Sequence, residues 1–213
     1  MEAYLPMTAN GSTVSTETPD PASGLAGLER LAREAGGRGV PPVERWNPAF
    51  CGDLDIRIAR DGTWFYMGSP IGRKPLVKLF SSVLRKDVDG RTYLVTPVEK
   101  IGITVDDAPF LAVEMAVDGQ GRDQIISFRT HVDDVVTVDA DHPFRFVIDT
   151  ETGGLKPYVL VRGNLEALVT RAVFHDLVEL GVDEEGAEGR RFGVWSSGVF
   201  FEMALSDEIG RVV

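Results

Sequence analysis

The chain has one cysteine, three scattered histidines and no apolar run approaching the roughly 18 residues that a membrane helix requires. With Cys51 alone, no disulfide can form within the chain, and a reduced thiol in the cytoplasm is the expectation. The N-terminus lacks the basic-then-apolar pattern of a secretory signal. Positive charge is also scarce: 22 Lys and Arg stand against 33 Asp and Glu, a net charge of -11. That balance argues against DNA or RNA as partners, because phosphate neutralisation needs a cationic surface. The motifs of several enzyme classes are missing too. There is no G-x-S-x-G elbow, Walker A loop or G-x-G-x-x-G fingerprint; Cys51 has no local signature of a nucleophile, and Trp195-Ser196-Ser197-Gly198 reads as a strand or turn segment. No catalytic residue and no cofactor is expected on these grounds.

What is present is an ordinary globular composition, 43% hydrophobic and 26% charged, which can build a core without metal or disulfide staples. Its charge is unevenly spread. Residues 1 to 56 carry -4, 57 to 100 carry +5, 101 to 160 carry -7 and 161 to 213 carry -5. The basic excess from Arg57 to Lys100 either marks an anion site or holds two oppositely charged halves together.

Residues 1–22, rich in Ser, Thr and Pro, are expected to form a disordered extension. Ser23 is placed as the N-cap of a short helix carrying Leu25, Leu28, Leu31 and Ala35, stopped by Gly36-Gly37. Val40-Pro41-Pro42 then runs extended to Trp46, an anchor on the core. Leu54, Ile56 and Ile58 alternate into a hairpin turn at Asp61-Gly62, followed by Trp64-Phe65-Tyr66. A loop, Gly68 to Gly72, precedes a helix with Pro75 in its first turn, apolar Leu76, Leu79, Phe80, Val83 and Leu84, and Arg85-Lys86 at its end. Thr92 to Thr96 is a strand.

The second half is read mainly as strands at 111–117, 124–130, 135–138, 144–148 and 157–162. Asn164 is placed as the cap of a second helix whose apolar face is Leu165, Leu168, Val169, Ala172, Val173, Leu177 and Leu180. An acidic loop, 183–188, precedes final strands between Gly193 and Ala204, and the tail after Ser206 is peripheral. Both halves show a strand leading to an arginine (Arg73, Arg162), a helix, a Gly-containing turn and a strand. The pattern outlines a weak internal repeat. The fold class is α+β, with a domain scheme of an extension at 1–22, a unit at 23–108 and a β-rich unit with one helix at 109–213.

Three kinds of site follow from side-chain chemistry. Asp53 and Asp55, or Asp139, Asp141 and His142, offer hard oxygen ligands, but neither spacing is that of a known metal motif, and solvated turn carboxylates are the simpler account. Gly68 to Gly72 with Arg73, Lys74 and Lys78 forms a small-residue loop before a helix, where free N–H groups favour an anion. Trp64 and Tyr66 share one strand face beside Arg57, where a base could stack, although core packing is the commoner use of such residues.

The segments CGDLDIRIARDGTWFYMGSPIGRKPLVKLFSSVLRKD, YLVTPVEK, DDAPF, PYVLVRGNLEALVTR and VWSSGVFF together resemble a bacterial family known as domain of unknown function 1285, over roughly Pro41 to Met203. The resemblance implies two related α+β units packed together, the second similar to a pleckstrin-homology-type barrel capped by a helix. It also implies a nucleotide-like ligand at the junction of the units and a role in signalling. No catalytic residue follows from it. Joined to the charge pattern, it gives a leading expectation: a non-enzymatic binding or regulatory protein holding a small anionic ligand. Arg57, Arg73 and Lys78 would meet the negative charge, Trp64 or Tyr66 would stack, and Arg162 or Arg171 would reach in from the second half. The alternatives are a metal-assisted hydrolase using Asp53, Asp55 and a second-half carboxylate, and a module that pairs with a protein partner through the acidic half.

Overall fold

A computed structural model describes residues 21–35, 40–150, 152–186 and 189–205, so residues 1–20 of the expected disordered extension 1–22 and the tail after Ser206 lie outside the described residues, while Pro21 and Ala22, the end of that extension, are helical. Helix α1 spans Pro21–Ala35 and buries Leu28 and Ala32, one turn apart, against the core. It starts at Pro21, so Ser23 sits inside its first turn instead of capping it. A 3-10 turn, Val43–Arg45, follows, with Val43 buried and Trp46 packed against the core.

The first unit is a six-stranded sheet with order β3-β2-β1-β6-β5-β4. Its strands are β1 (Phe50–Ile58), β2 (Trp64–Tyr66), β3 (Ser69–Pro70), β4 (Leu84–Lys86), β5 (Thr92–Val95) and β6 (Lys100–Val105), with α2 (Lys74–Ser82) between β3 and β4. The expected hairpin is present, with Ile58 opposite Trp64 and Ile56 opposite Tyr66. Helix α2 is shorter than its apolar spacing suggests. The hydroxyls of Ser81 and Ser82 turn back to accepting carbonyls of Lys78 and Leu79, at 2.8 and 2.7 Å, and the chain leaves the helix at Val83. Leu84, Arg85 and Lys86 therefore form a strand opposite Leu94, Tyr93 and Thr92, and Arg85 is buried instead of ending a helix.

The second unit is a six-stranded sheet with order β10-β11-β12-β7-β8-β9. It contains β7 (Phe110–Asp118), β8 (Ile125–Thr130), β9 (Val135–Thr137), β10 (Phe144–Ile148), β11 (Leu155–Arg162) and β12 (Leu165–Val169). Here the sequence expectation of a helix from Asn164 is corrected. Burial alternates along Leu165 to Val169, and the segment pairs with β11 and, in parallel, with β7. Asn164 donates its side-chain amide to the Lys86 carbonyl instead of capping, and α3 runs only over Arg171–Glu179, with Val173 and Leu177 buried and Ala172 exposed.

The two sheets have the same topology. Each consists of two three-stranded antiparallel meanders joined at the centre by one parallel pair, the first strand of the unit beside its sixth: β1 with β6, and β7 with β12. The repeat thus exists in strand order, but not in the register read from sequence. Arg73 precedes a helix, whereas Arg162 ends a strand followed by another strand. The units are mostly β, and their two six-stranded sheets are curled.

After α3 comes a three-stranded sheet of β13 (Val182–Gly186), β14 (Gly189–Ser196) and β15 (Val199–Leu205). Most of the expected acidic loop is strand β13, because Glu184 and Glu185 lie opposite Arg191 and Arg190 and Asp183 accepts from Arg190 at 2.8 Å. Phe144 touches Phe128, Phe146 and Phe201 at centroid distances of 5.4 to 5.6 Å, tying this sheet to the second unit's core.

Candidate functional site

The basic segment does not converge on one cleft. Arg57 on β1 donates to Asp106 at 2.6 Å and lies over the Phe65 ring at 4.7 Å. Arg73, at the N-cap of α2, turns to Glu29 of α1 at 3.3 Å, and Lys78 reaches Asp133 of the second unit at 3.1 Å. Arg91 binds Asp53, and Asp87 is shared by Arg85 and Lys100 at 2.6 and 2.5 Å. The Gly68 to Gly72 loop is itself partly strand: Ser69 and Pro70 pair with β2, and the Ile71 N–H donates to the Trp64 carbonyl at 2.8 Å.

Trp64 is a core residue, 1% exposed and packed on Phe80 with ring centroids 6.3 Å apart. Its ring offers no face to a base, because the strand alternation points it inward under α2. Tyr66, on the same face, also packs against the core.

Arg162 joins the units. It binds Asp134, donates from Nη2 to the Ser81 carbonyl at 2.6 Å and stacks over Phe110 at 4.8 Å. Arg85 plays a comparable part within the first unit, donating to the carbonyls of Val43 and Trp46 at 2.9 and 2.7 Å and so pinning the extended arm. The sequence expectation places Arg85 at the end of a helix. The only signal that it would be buried is its place one residue beyond Leu84 in what is a strand.

Arg171 stands apart from the other expected residues. It opens the first turn of α3, is exposed, and has no ion pair or hydrogen bond to another described residue. Thr170, at the N-cap, makes no side-chain bond to the helix start. Beside them lies a groove of about 490 Å³ between the β10–β11 hairpin, the end of β12 and α3. Its walls divide into an apolar part, including Leu155, Pro157, Leu168 and Phe174, and a polar part with Thr152, Lys156, Arg171 and His175. Lys156 is held by Asp107, whose hydrogen bond raises its pKa, and Tyr158, raised first by burial, donates to the same carboxylate at 2.7 Å.

A second hollow of about 480 Å³ lies at the junction, between Lys86, Asp87 and Val88 of the first unit and Leu160, Asn164 and Glu166 of the second. Its carboxylates are already engaged: Asp87 as above, and Glu166 with Arg145 through two 2.7 Å bonds. Among the described residues no group of three or more His, Cys, Asp or Glu gathers as metal ligands would. Asp139, one of the expected ligands, instead accepts the backbone N–H groups of Asp141 and His142 in its own turn. No helix among the described residues is long and apolar enough to cross a membrane.

Comparison with known proteins adds a family and no activity. Residues 41–108 match the model described as "Domain of unknown function (DUF1285), N-terminal domain", and residues 109–203 match "Protein of unknown function (DUF1285), C-terminal domain". No curated protein matches. A crystal structure of a DUF1285 family protein from Silicibacter pomeroyi DSS-3 is similar at a TM-score of 0.80 and 51% identity, over 86% of this chain and 98% of that one. A DUF1285 family protein from Shewanella baltica OS155 matches at 25% identity and a TM-score of 0.48, over 59% of this chain and 91% of that one. With both family models in tandem, and 51% identity to a relative that it spans almost end to end, the chain belongs to the DUF1285 family.

Proposed function

We propose that this protein acts by binding, without catalysis, and that its ligand is a small organic anion with an apolar or aromatic body, such as a nucleotide-like molecule, used in regulation or signalling. The observation that supports this is the α3 groove. It combines a volume in the range of small-molecule sites, a divided polar and apolar lining, and an arginine that no described residue neutralises. The anionic end would meet Arg171 and the N–H groups at the start of α3, where the helix dipole adds a partial positive charge. The body would lie on Phe174, Leu168 and Pro157.

On this reading the ligand site moves from the junction to the second unit, because Arg57, Arg73, Lys78 and Arg162 already have carboxylate partners. A pleckstrin-homology-type barrel enters this reading only through the family resemblance. We set the hydrolase reading lower, since Asp53 is occupied by Arg91.

A thermal-shift screen of nucleotides, phosphorylated metabolites and aromatic carboxylates tests the reading. A ligand at 100 times its dissociation constant adds about 2.7 kcal/mol of stability. The shift should vanish in Arg171→Ala and persist in Arg57→Ala. A shift lost in Arg57→Ala but retained in Arg171→Ala would return the site to the first unit.

A further inference from the structure

The turn between β8 and β9 is one of the places where the second unit grips the first. Within it, Asp133 pairs with Lys78 of α2, and Asp134 pairs with Arg162, which bonds the Ser81 carbonyl at the end of α2. Val132 is buried, and His131 is tucked against the β1–β2 turn of the first unit. A side chain at Gly62 would place its first carbon 3.2 Å from His131 Nε2 and 3.1 Å from Leu111 Cδ1, so the imidazole fills the space that glycine leaves.

The hydrogen bonds define the charge state of this ring. The backbone N–H of His131 donates to the Leu111 carbonyl at 2.9 Å, and the Leu111 N–H donates to the ring at Nδ1, at 3.1 Å. An Nδ1 that accepts has no proton, so the ring is neutral, with its hydrogen on Nε2. Nε2 is buried and has no hydrogen-bond partner. A second proton would put two donors face to face at the Leu111 N–H and leave a cation on a half-buried ring whose Nε2 is out of reach of water.

We propose that His131 makes the docking of the two units pH-dependent: neutral, it locks the β8–β9 turn against the β1–β2 turn, and protonated, it releases them.

The neighbouring charges do not relieve the cost of protonation. In its own turn, Asp133 is held by Lys78 and Arg129, and Asp134 by Arg162. In the facing turn, Asp61 accepts the Thr63 N–H at 2.9 Å, and Arg60 beside it is a cation. On β7, Glu114 is bound to Arg129. Burial outweighs the Leu111 backbone, the attraction of Asp134 and the Gly62 backbone, all of which favour the charged form, and holds the imidazole below its ordinary value of 6.5. The released form therefore takes up the proton first. Docking is at full strength above the ordinary imidazole range and weakens as pH falls below it.

Amide hydrogen exchange on the full chain, corrected for intrinsic rates, reads this directly. Between about pH 7.5 and about pH 5.5, protection of Leu111 and of residues 60–63 and 130–134 should fall about tenfold, while the central strands of each sheet are unchanged. In His131→Gln, whose amide oxygen can still accept from Leu111 but does not titrate, the fall should disappear. It should remain in His142→Asn and His175→Asn. Unchanged protection of the turn at low pH, loss spread evenly over both sheets, or pH dependence retained in His131→Gln would each overturn the proposal. If His131→Gln does not fold, nuclear magnetic resonance on the wild type decides: the Leu111 amide and the His131 ring should titrate with one midpoint, and separate midpoints would refute the coupling.

Discussion

Arg162 in the second unit donates a 2.6 Å hydrogen bond to the backbone carbonyl of Ser81 in the first, where α2 runs out. The same guanidinium binds Asp134 and covers Phe110. It is only 20% exposed. Removing it strands a carboxylate and a carbonyl in a poorly hydrated place. Arg162→Ala should cost about 3 kcal/mol in urea unfolding, and Arg162→Lys, which cannot serve both acceptors in one plane, should recover only part of it.

Gly62 has a φ of +79, a left-handed conformation that an L side chain adopts only with strain, and its missing Cβ faces His131 and Leu111. Gly62→Ala should therefore destabilise by about 1–2 kcal/mol. Because the clash is with the other unit, exchange protection of residues 130–134 should fall along with that of the first-unit turn.

Acid sensitivity has a named source in Asp87. Burial acts to raise its carboxyl, but the hydrogen bonds and charges of Arg85 and Lys100 together outweigh it and hold the group below its ordinary value of 3.8. A depressed folded value means that the stabilisation is complete above the ordinary value and is lost as pH falls through the folded one. Asp87→Asn should lower stability by about 2 kcal/mol at neutral pH and flatten the acid limb of the stability curve, as urea midpoints from about pH 7 down to about pH 3 would report.

Trp64 is the clearest separation of core from site. Trp64→Ala should cost about 3–5 kcal/mol, by loss of buried area and a cavity against Phe80. The dissociation constant for any ligand found in the screen should not change, as calorimetry on the folded variant would show.

Local signals carried much of the fold and little of the site. The Asp61-Gly62 hairpin and the strands after Phe110 were legible because alternation and turn residues agree there. Strand β6 was passed over although Ile101, Ile103 and Val105 alternate. Leu165 to Val169 is ambiguous by nature: Leu165, Leu168 and Val169 fit a helix, while Leu165, Ala167 and Val169 fit a strand. The decision belongs to β7, more than 50 residues away in sequence, which pairs with it. The basic segment misled for the same reason. Charge can be counted along a chain, but whether Lys78 meets a ligand or Asp133 depends on how the units dock. Arg171 was named among the candidates, yet nothing local set it apart from Arg162.

The central claim is that the α3 groove binds an organic anion through Arg171. Isothermal titration of the strongest compound from the thermal-shift screen into wild type and Arg171→Ala tests it most directly. The account predicts saturable one-to-one binding that weakens at least tenfold in Arg171→Ala, at unchanged fold stability. Binding of equal affinity in both proteins would contradict it.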